Sequence, residues 1–119
     1  AQLFRFYADL IRLRLARPSL RSGNLDVVYV HDANRVLAFR RWDGAEELLV
    51  FSSLSNTTFA AGYSIENSRL GDGQWREIFN SDRLEYGGDG FVNAETIASG
   101  GGVFTARLPA NSVLVFQRQ

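Results

Sequence analysis

The sequence predicts an all-β domain, an antiparallel Greek-key β-sandwich preceded by one N-terminal α-helix, and three observations carry that expectation. From Asn34 to Ser55 two strand-length apolar runs meet across Trp42-Asp43-Gly44-Ala45, whose Asp-Gly step tolerates the positive φ of a tight hairpin. After Asn24 the hydrophobic period is two, through short runs bounded by Gly, Pro, Asn, Asp or Ser. Ahead of that point the period is three to four.

The helix is expected over Leu3 to Leu15. Gln2, Arg5, Asp9, Arg12 and Ala16 recur at spacings of three and four, which leaves a wide apolar remainder that includes Phe4, Tyr7 and Ile11. Pro18 stops the helix near Arg17, and Arg14 and Arg17 suit the negative end of its dipole. The chain opens on Ala1-Gln2-Leu3 with no capping residue ahead of it and contains no Met, so it reads as a piece of a longer protein. Residues 1–21 are then a terminal helix left at a domain junction, and 22–119 the β domain.

Leu25 to Val30 reads as the first strand, with His31-Asp32-Ala33-Asn34 turning into the hairpin. Val36, Ala38 and Arg40 alternate with Leu37, Phe39 and Arg41. Leu48 to Phe51 is apolar throughout, the mark of a strand covered on both faces. Phe59 to Ile65 follows a polar connection, with Gly62 a candidate bulge, and Gln74 to Phe79 alternates again. Asn80 to Gly90 is a long loop. Ile97 to Ser99 and Val103 to Leu108 flank Gly100-Gly101-Gly102, and Pro109-Ala110-Asn111 turns into a last strand, Ser112 to Phe116.

Composition bounds the function. The 119 residues suit one domain, and 13 basic residues cancel 13 acidic ones, so no global field gathers nucleic acid or an anionic membrane. No apolar run approaches the roughly 18 to 20 residues that span a bilayer. The chain has no cysteine, which removes thiolate chemistry and fits a cytoplasmic setting.

Residues with chemistry to offer are few. His31 is the single histidine, and no serine sits in a nucleophile elbow to use it. One histidine and no cysteine do not make a zinc site. Asp82, Glu85 and Asp89 lack the spacing of a calcium loop. Glu46 and Glu47 are adjacent on a strand and point to opposite faces, so they do not flank one sugar. The glycine clusters carry no phosphate-binding pattern. No catalytic residue, metal or cofactor is therefore assigned. Trp42, Tyr63, Trp75 and Tyr86 are candidate sugar or domain contacts, because flat apolar faces with a polar edge suit sugar rings. Burial in the core is the usual fate of such residues, and Trp42, at the hairpin tip, is the one most expected to escape it.

The stretch Phe6 to Arg14 followed by Arg17-Pro18-Ser19-Leu20-Arg21-Ser22-Gly23 resembles the last barrel helix of α-amylase-superfamily enzymes and its exit toward a C-terminal β domain. Asn34-Arg35-Val36-Leu37-Ala38-Phe39, Trp75-Arg76-Glu77-Ile78-Phe79-Asn80-Ser81-Asp82, Tyr86-Gly87-Gly88, Asn93 and Leu108 to Phe116 together resemble the C-terminal domain of 1,4-α-glucan (glycogen) branching enzymes. The chain departs from that pattern at Phe51 to Ser55 and at the Gly100 to Gly102 insertion. The resemblance implies a non-catalytic accessory domain of an enzyme of glycogen biosynthesis. It would pack against the catalytic barrel of the parent chain through Phe4, Tyr7 and Ile11, with weak contact to an α-1,4-glucan. A free-standing carbohydrate-binding module, or the C-terminal domain of another α-amylase-superfamily hydrolase, are the alternatives.

Overall fold

The computed structural model describes residues 8, 9, 11–13, 15, 17 and 24–119. Among the described residues before Asn24, positions 8, 9, 11–13 and 15 are helical, and Arg17 donates its backbone N–H to Leu13 O at 3.0 Å. Phe4 and Tyr7, named as barrel-facing, lie outside the described residues.

Eight strands follow among the described residues: β1 (Leu25–His31), β2 (Val36–Asp43), β3 (Glu46–Ser53), β4 (Phe59–Glu66), β5 (Gly73–Asn80), β6 (Ile97–Ser99), β7 (Val103–Leu108) and β8 (Ser112–Arg118). They form two antiparallel sheets, a large one in the order β1-β2-β3-β8-β5-β6 and a ribbon of β4 and β7. The large sheet curls so that its edge strands meet the ribbon, β1 beside β4 and β6 beside β7. The result is a half-barrel closed by a ribbon. The antiparallel all-β class is as expected, while the Greek-key connection is not shown by this strand order.

The central hairpin forms where the sequence places it, one residue out of phase. Asp43 pairs with Glu46, which makes Gly44 and Ala45 the two central turn residues. Gly44 has φ of 60° and Ala45 stays out of the left-handed region, the sign pattern of a type II′ turn.

β3 is covered on both faces. Leu49 and Phe51 point into an inner cluster shared with the ribbon, where Phe104 and Phe116 lie 5.1 Å apart and Phe51 sits 5.6 and 5.7 Å from them. Leu48 and Val50 point the other way, into an outer cluster with Phe79 and Val115. Leu13 of the helix packs there, with Phe39, Ile78, Tyr86 and Val113. One apolar run thus serves two cores.

Bulges re-aim the strands. Between Val27 and Tyr29 the β1–β2 register slips, so that Val28 and Tyr29 both meet the inner cluster. Val30, which simple alternation would have put on the face of Val28, is turned out and 62% exposed. The irregularity in β4 falls between Phe59 and Tyr63, spanning Gly62, whose φ is 112°. A third bulge lies between Glu77 and Phe79.

Candidate functional site

Trp42 is not the bare tip residue that its place beside the turn suggests. It is half-buried, and the Arg40 guanidinium lies 4.8 Å from its ring centroid. The cause is cross-strand. Trp42 pairs with Glu47 on β3, and Glu47 accepts from Arg40 Nε at 2.6 Å and from Arg118 Nε of β8 at 2.8 Å. Arg118 in turn lies 4.6 Å over the ring of Trp75 and donates to Asp72 O at 2.7 Å and to Leu70 O. Arg40 also reaches Asp26, which pairs with Arg69 at 2.7 Å. A carboxylate between two guanidiniums, each set on an indole, closes this end of the sheet.

Trp75 and Tyr63 belong to the inner core. Trp75 has no exposed surface and donates Nε1–H to Ser99 Oγ at 2.9 Å, so its indole has no face to offer a sugar. Tyr63 is 7% exposed, packed edge-on against Phe59 at 4.7 Å. Both follow the ordinary fate of aromatics on alternating strands.

Tyr86 lies in the loop after β5, in a short 3₁₀ turn (Leu84–Tyr86) closed by Gly87 at φ of 85°. Its ring sits 5.8 Å from Phe79, and its hydroxyl donates to Asp9 Oδ2 of the helix at 2.6 Å. Burial, then the bond to Asp9, pushes the phenol up to about 12. Of the named helix contacts, Ile11 is 59% exposed, beside Leu15 at 65%.

The same loop explains much of the polar spelling that the sequence singled out. Asn80 Oδ1 accepts the Asp82 N–H at 2.8 Å, and its Nδ2 donates to Phe91 O at 3.2 Å. Asp82 Oδ2 accepts the Phe91 N–H at 2.9 Å, so this carboxylate is engaged by the loop itself. Asn93 donates through N and Nδ2 to Glu77 Oε2 at 3.2 and 2.8 Å, and clasps Arg107 of β7 through both N–H and C=O. Burial raises the Glu77 carboxyl above its usual range, against the bonds from Asn93 and Asn80 and the charge of Arg83, which lower it. Glu77 and Arg83 line an open cleft of about 480 Å³. No group of three metal-binding side chains occurs among the described residues.

His31 ends β1. Its Nδ1 accepts the Asn34 N–H at 3.1 Å, and its ring is nearly parallel to that of Tyr29, 7° between planes and 6.2 Å between centroids. The Tyr29 hydroxyl meets that of Tyr63 at 2.6 Å, and Asn34 Nδ2 donates to Tyr63 at 3.2 Å. Tyr29 and Asn34 were not among the sequence candidates. The available signal was the i, i+2 spacing of Tyr29 and His31, which puts both on one strand face.

These features define an all-β domain in which the conspicuous aromatics and carboxylates brace the fold. Residues 28–119 match the alpha amylase, C-terminal all-beta domain family, and the chain belongs to it. It is 33% identical, over 92% of its length, to the 1,4-alpha-glucan branching enzyme GlgB of Burkholderia lata, and spans 16% of that enzyme. It is similar in fold to the alpha-amylase of H. orenii (TM-score 0.63, 22% identity, 97% of this chain and 20% of that one). It is similar likewise to the acarbose-bound alpha-amylase of Geobacillus thermoleovorans (TM-score 0.65, 17% identity, 90% of this chain and 20% of that one). The chain thus spans about a fifth or less of these enzymes' length, and it corresponds to their C-terminal domain and not to their catalytic one.

Proposed function

We propose that the chain acts as the non-catalytic C-terminal accessory domain of a 1,4-α-glucan branching enzyme, in glycogen biosynthesis. It packs against and stabilises the catalytic barrel and makes weak contact with α-1,4-glucan. The supporting observation is the outer cluster. Leu48, Val50, Phe79 and Val115 form a second core on the side of the large sheet away from the ribbon, and Leu13 of the helix covers part of it. Ile11 and Leu15 on that helix, with Val27 and Val30 on β1, remain exposed to at least 43%. Apolar surface left on a helix already docked to a second core suits a further domain packed over it. The identity to the branching enzyme supports that subfamily over a hydrolase. The cysteine-free sequence supports a cytoplasmic setting.

Reconstitution tests this. The chain, joined to the barrel of the Burkholderia lata enzyme in place of that enzyme's own C-terminal domain, should restore branching activity and thermal stability. Ile11→Asp/Leu15→Asp should undo the gain. Equal activity and stability in the bare barrel and the joined protein would remove the proposal, and rescue of an α-amylase barrel alone would move the domain to the hydrolases.

A further inference from the structure

We propose that Tyr29, His31 and Asn34, at the end of β1, form a carbohydrate-contact site whose ligand is a pyranose chain. The bulge after Val27 turns Tyr29 to the inner side of the sheet, and His31 lies two residues on along the same face. Tyr29 rests on the inner cluster and is half-buried, while His31 is exposed. The two rings are stacked, 7° between planes and 6.2 Å between centroids, so Tyr29 fixes the orientation of the exposed imidazole, which has its other face to offer a ligand. An aromatic face takes the C–H face of a sugar, and polar groups at the rim fix its orientation.

The rim supplies them. His31 Nδ1 accepts the Asn34 N–H, so the neutral imidazole carries its proton on Nε2, and Nε2–H has no partner among the described residues. Asn34 donates through Nδ2 to the Tyr63 hydroxyl, and its Oδ1 has no partner among the described residues. One donor and one acceptor therefore stand ready beside the rings, a match for a hydroxyl that gives and one that receives. The Tyr63 hydroxyl, bonded to both Tyr29 and Asn34, holds the two residues in place from the core side. By contrast Trp42 has the Arg40 guanidinium at its ring, and Trp75 is sealed. Val30, between the two rings in sequence, pairs with Leu37, which alternation puts on the same face as Phe39 beside the outer cluster, so the site and the interface proposed above lie on opposite sides of β1.

The choice of an α-1,4-glucan as the chain rests on the function proposed above. Maltoheptaose titrated into the isotope-labelled 119-residue chain should give saturable shifts at Tyr29, His31 and Asn34 in the millimolar range. His31→Ala, an exposed change that leaves the core intact, should weaken binding at least tenfold, and Tyr29→Ala should match it. His31→Phe keeps the ring and loses Nε2–H, so it should fall between His31→Ala and the unaltered chain. Saturable shifts centred on Trp42 or on the Glu77 cleft, or binding unchanged in His31→Ala, would overturn this site while leaving glucan contact in place. No saturable shift at all would overturn the site, and the barrel-packing role would still be decided by reconstitution.

Discussion

Tyr86 donates its phenolic hydrogen to Asp9 Oδ2 at 2.6 Å across 77 residues of sequence, tying the loop after β5 to the N-terminal helix. A one-layer helix on a sheet slides easily when only apolar side chains hold it, and a charge-assisted bond at one point fixes its position. Tyr86→Phe keeps the ring against Phe79 and removes the tie. It should cost about 1.5 kcal/mol, the low end for a bond to a charged group. Faster amide exchange at residues 11–13, with β3 unchanged, is the expected readout; equal acceleration in both would place the loss elsewhere.

Alkaline titration tests the same contact and the Tyr29–Tyr63 pair. Tyr29 and Tyr86 are both pushed up to about 12, in each case first by burial and then by a hydrogen bond to Tyr63 or Asp9. A phenol whose folded value lies above its unfolded one favours the folded state while it stays protonated. That contribution is whole below about pH 10 and is lost as the pH rises toward 12. Absorbance at the phenolate band should show two late-titrating tyrosines, and Tyr29→Phe and Tyr86→Phe should each remove one. Ordinary titration of all tyrosines in the folded chain would refute both placements.

Glu77 sets a dependence of the same sign at the acid end. Its carboxyl is raised above 4.5 chiefly by burial, so the folded state binds a proton more tightly than the unfolded chain. The domain should therefore gain stability as the pH falls from neutrality through the raised value, with no further gain below the unfolded one. Glu77→Gln retains an acceptor for Asn93 and Asn80 and abolishes the buried charge. Urea midpoints should be higher in the variant at pH 7 and converge with the unaltered chain near pH 4.5. Equal midpoints at both values would mean that the carboxylate is not penalised.

How much of this was legible in the sequence varies by residue. Leu48 to Phe51 announced a strand buried on both sides, and the two clusters on either face of β3 are what that run encodes. Gly44 announced the turn, and the register slipped by one because glycine fits the first central position of a type II′ turn without help from Asp43. The surroundings of Trp42 were hidden for a different reason. The residues that settle its surroundings, Glu47 and Arg118, lie 71 apart from each other and meet only when β8 is inserted between β3 and β5. Likewise no pattern in Leu25 to Val30 marks the bulge, since Val27, Val28, Tyr29 and Val30 are all strand formers and hide the change of phase.

The loop from Asn80 to Asn93 is where a small change should do local and measurable damage. A Cβ at Gly88 would lie 2.2 Å from Asp82 O and 2.5 Å from Asp82 Cα, contacts with backbone that no rotamer change relieves. Asp82 is also where the loop is pinned, by its O to the Gly90 N–H at 2.7 Å and by its Oδ2 to the Phe91 N–H. Gly88→Ala must therefore move Asp82 and loosen both bonds, each contributing on the order of 1 kcal/mol. We expect a loss of roughly 2 kcal/mol in urea unfolding, with amide exchange accelerated at Gly90 and Phe91 and unaltered in β3 and β8. Asp82→Ala removes only the side-chain bond and should cost about half as much. If Gly88→Ala proved neutral, the loop would have to be held from outside Asp82, and the Asn80-Ser81-Asp82 spelling would lose its structural explanation.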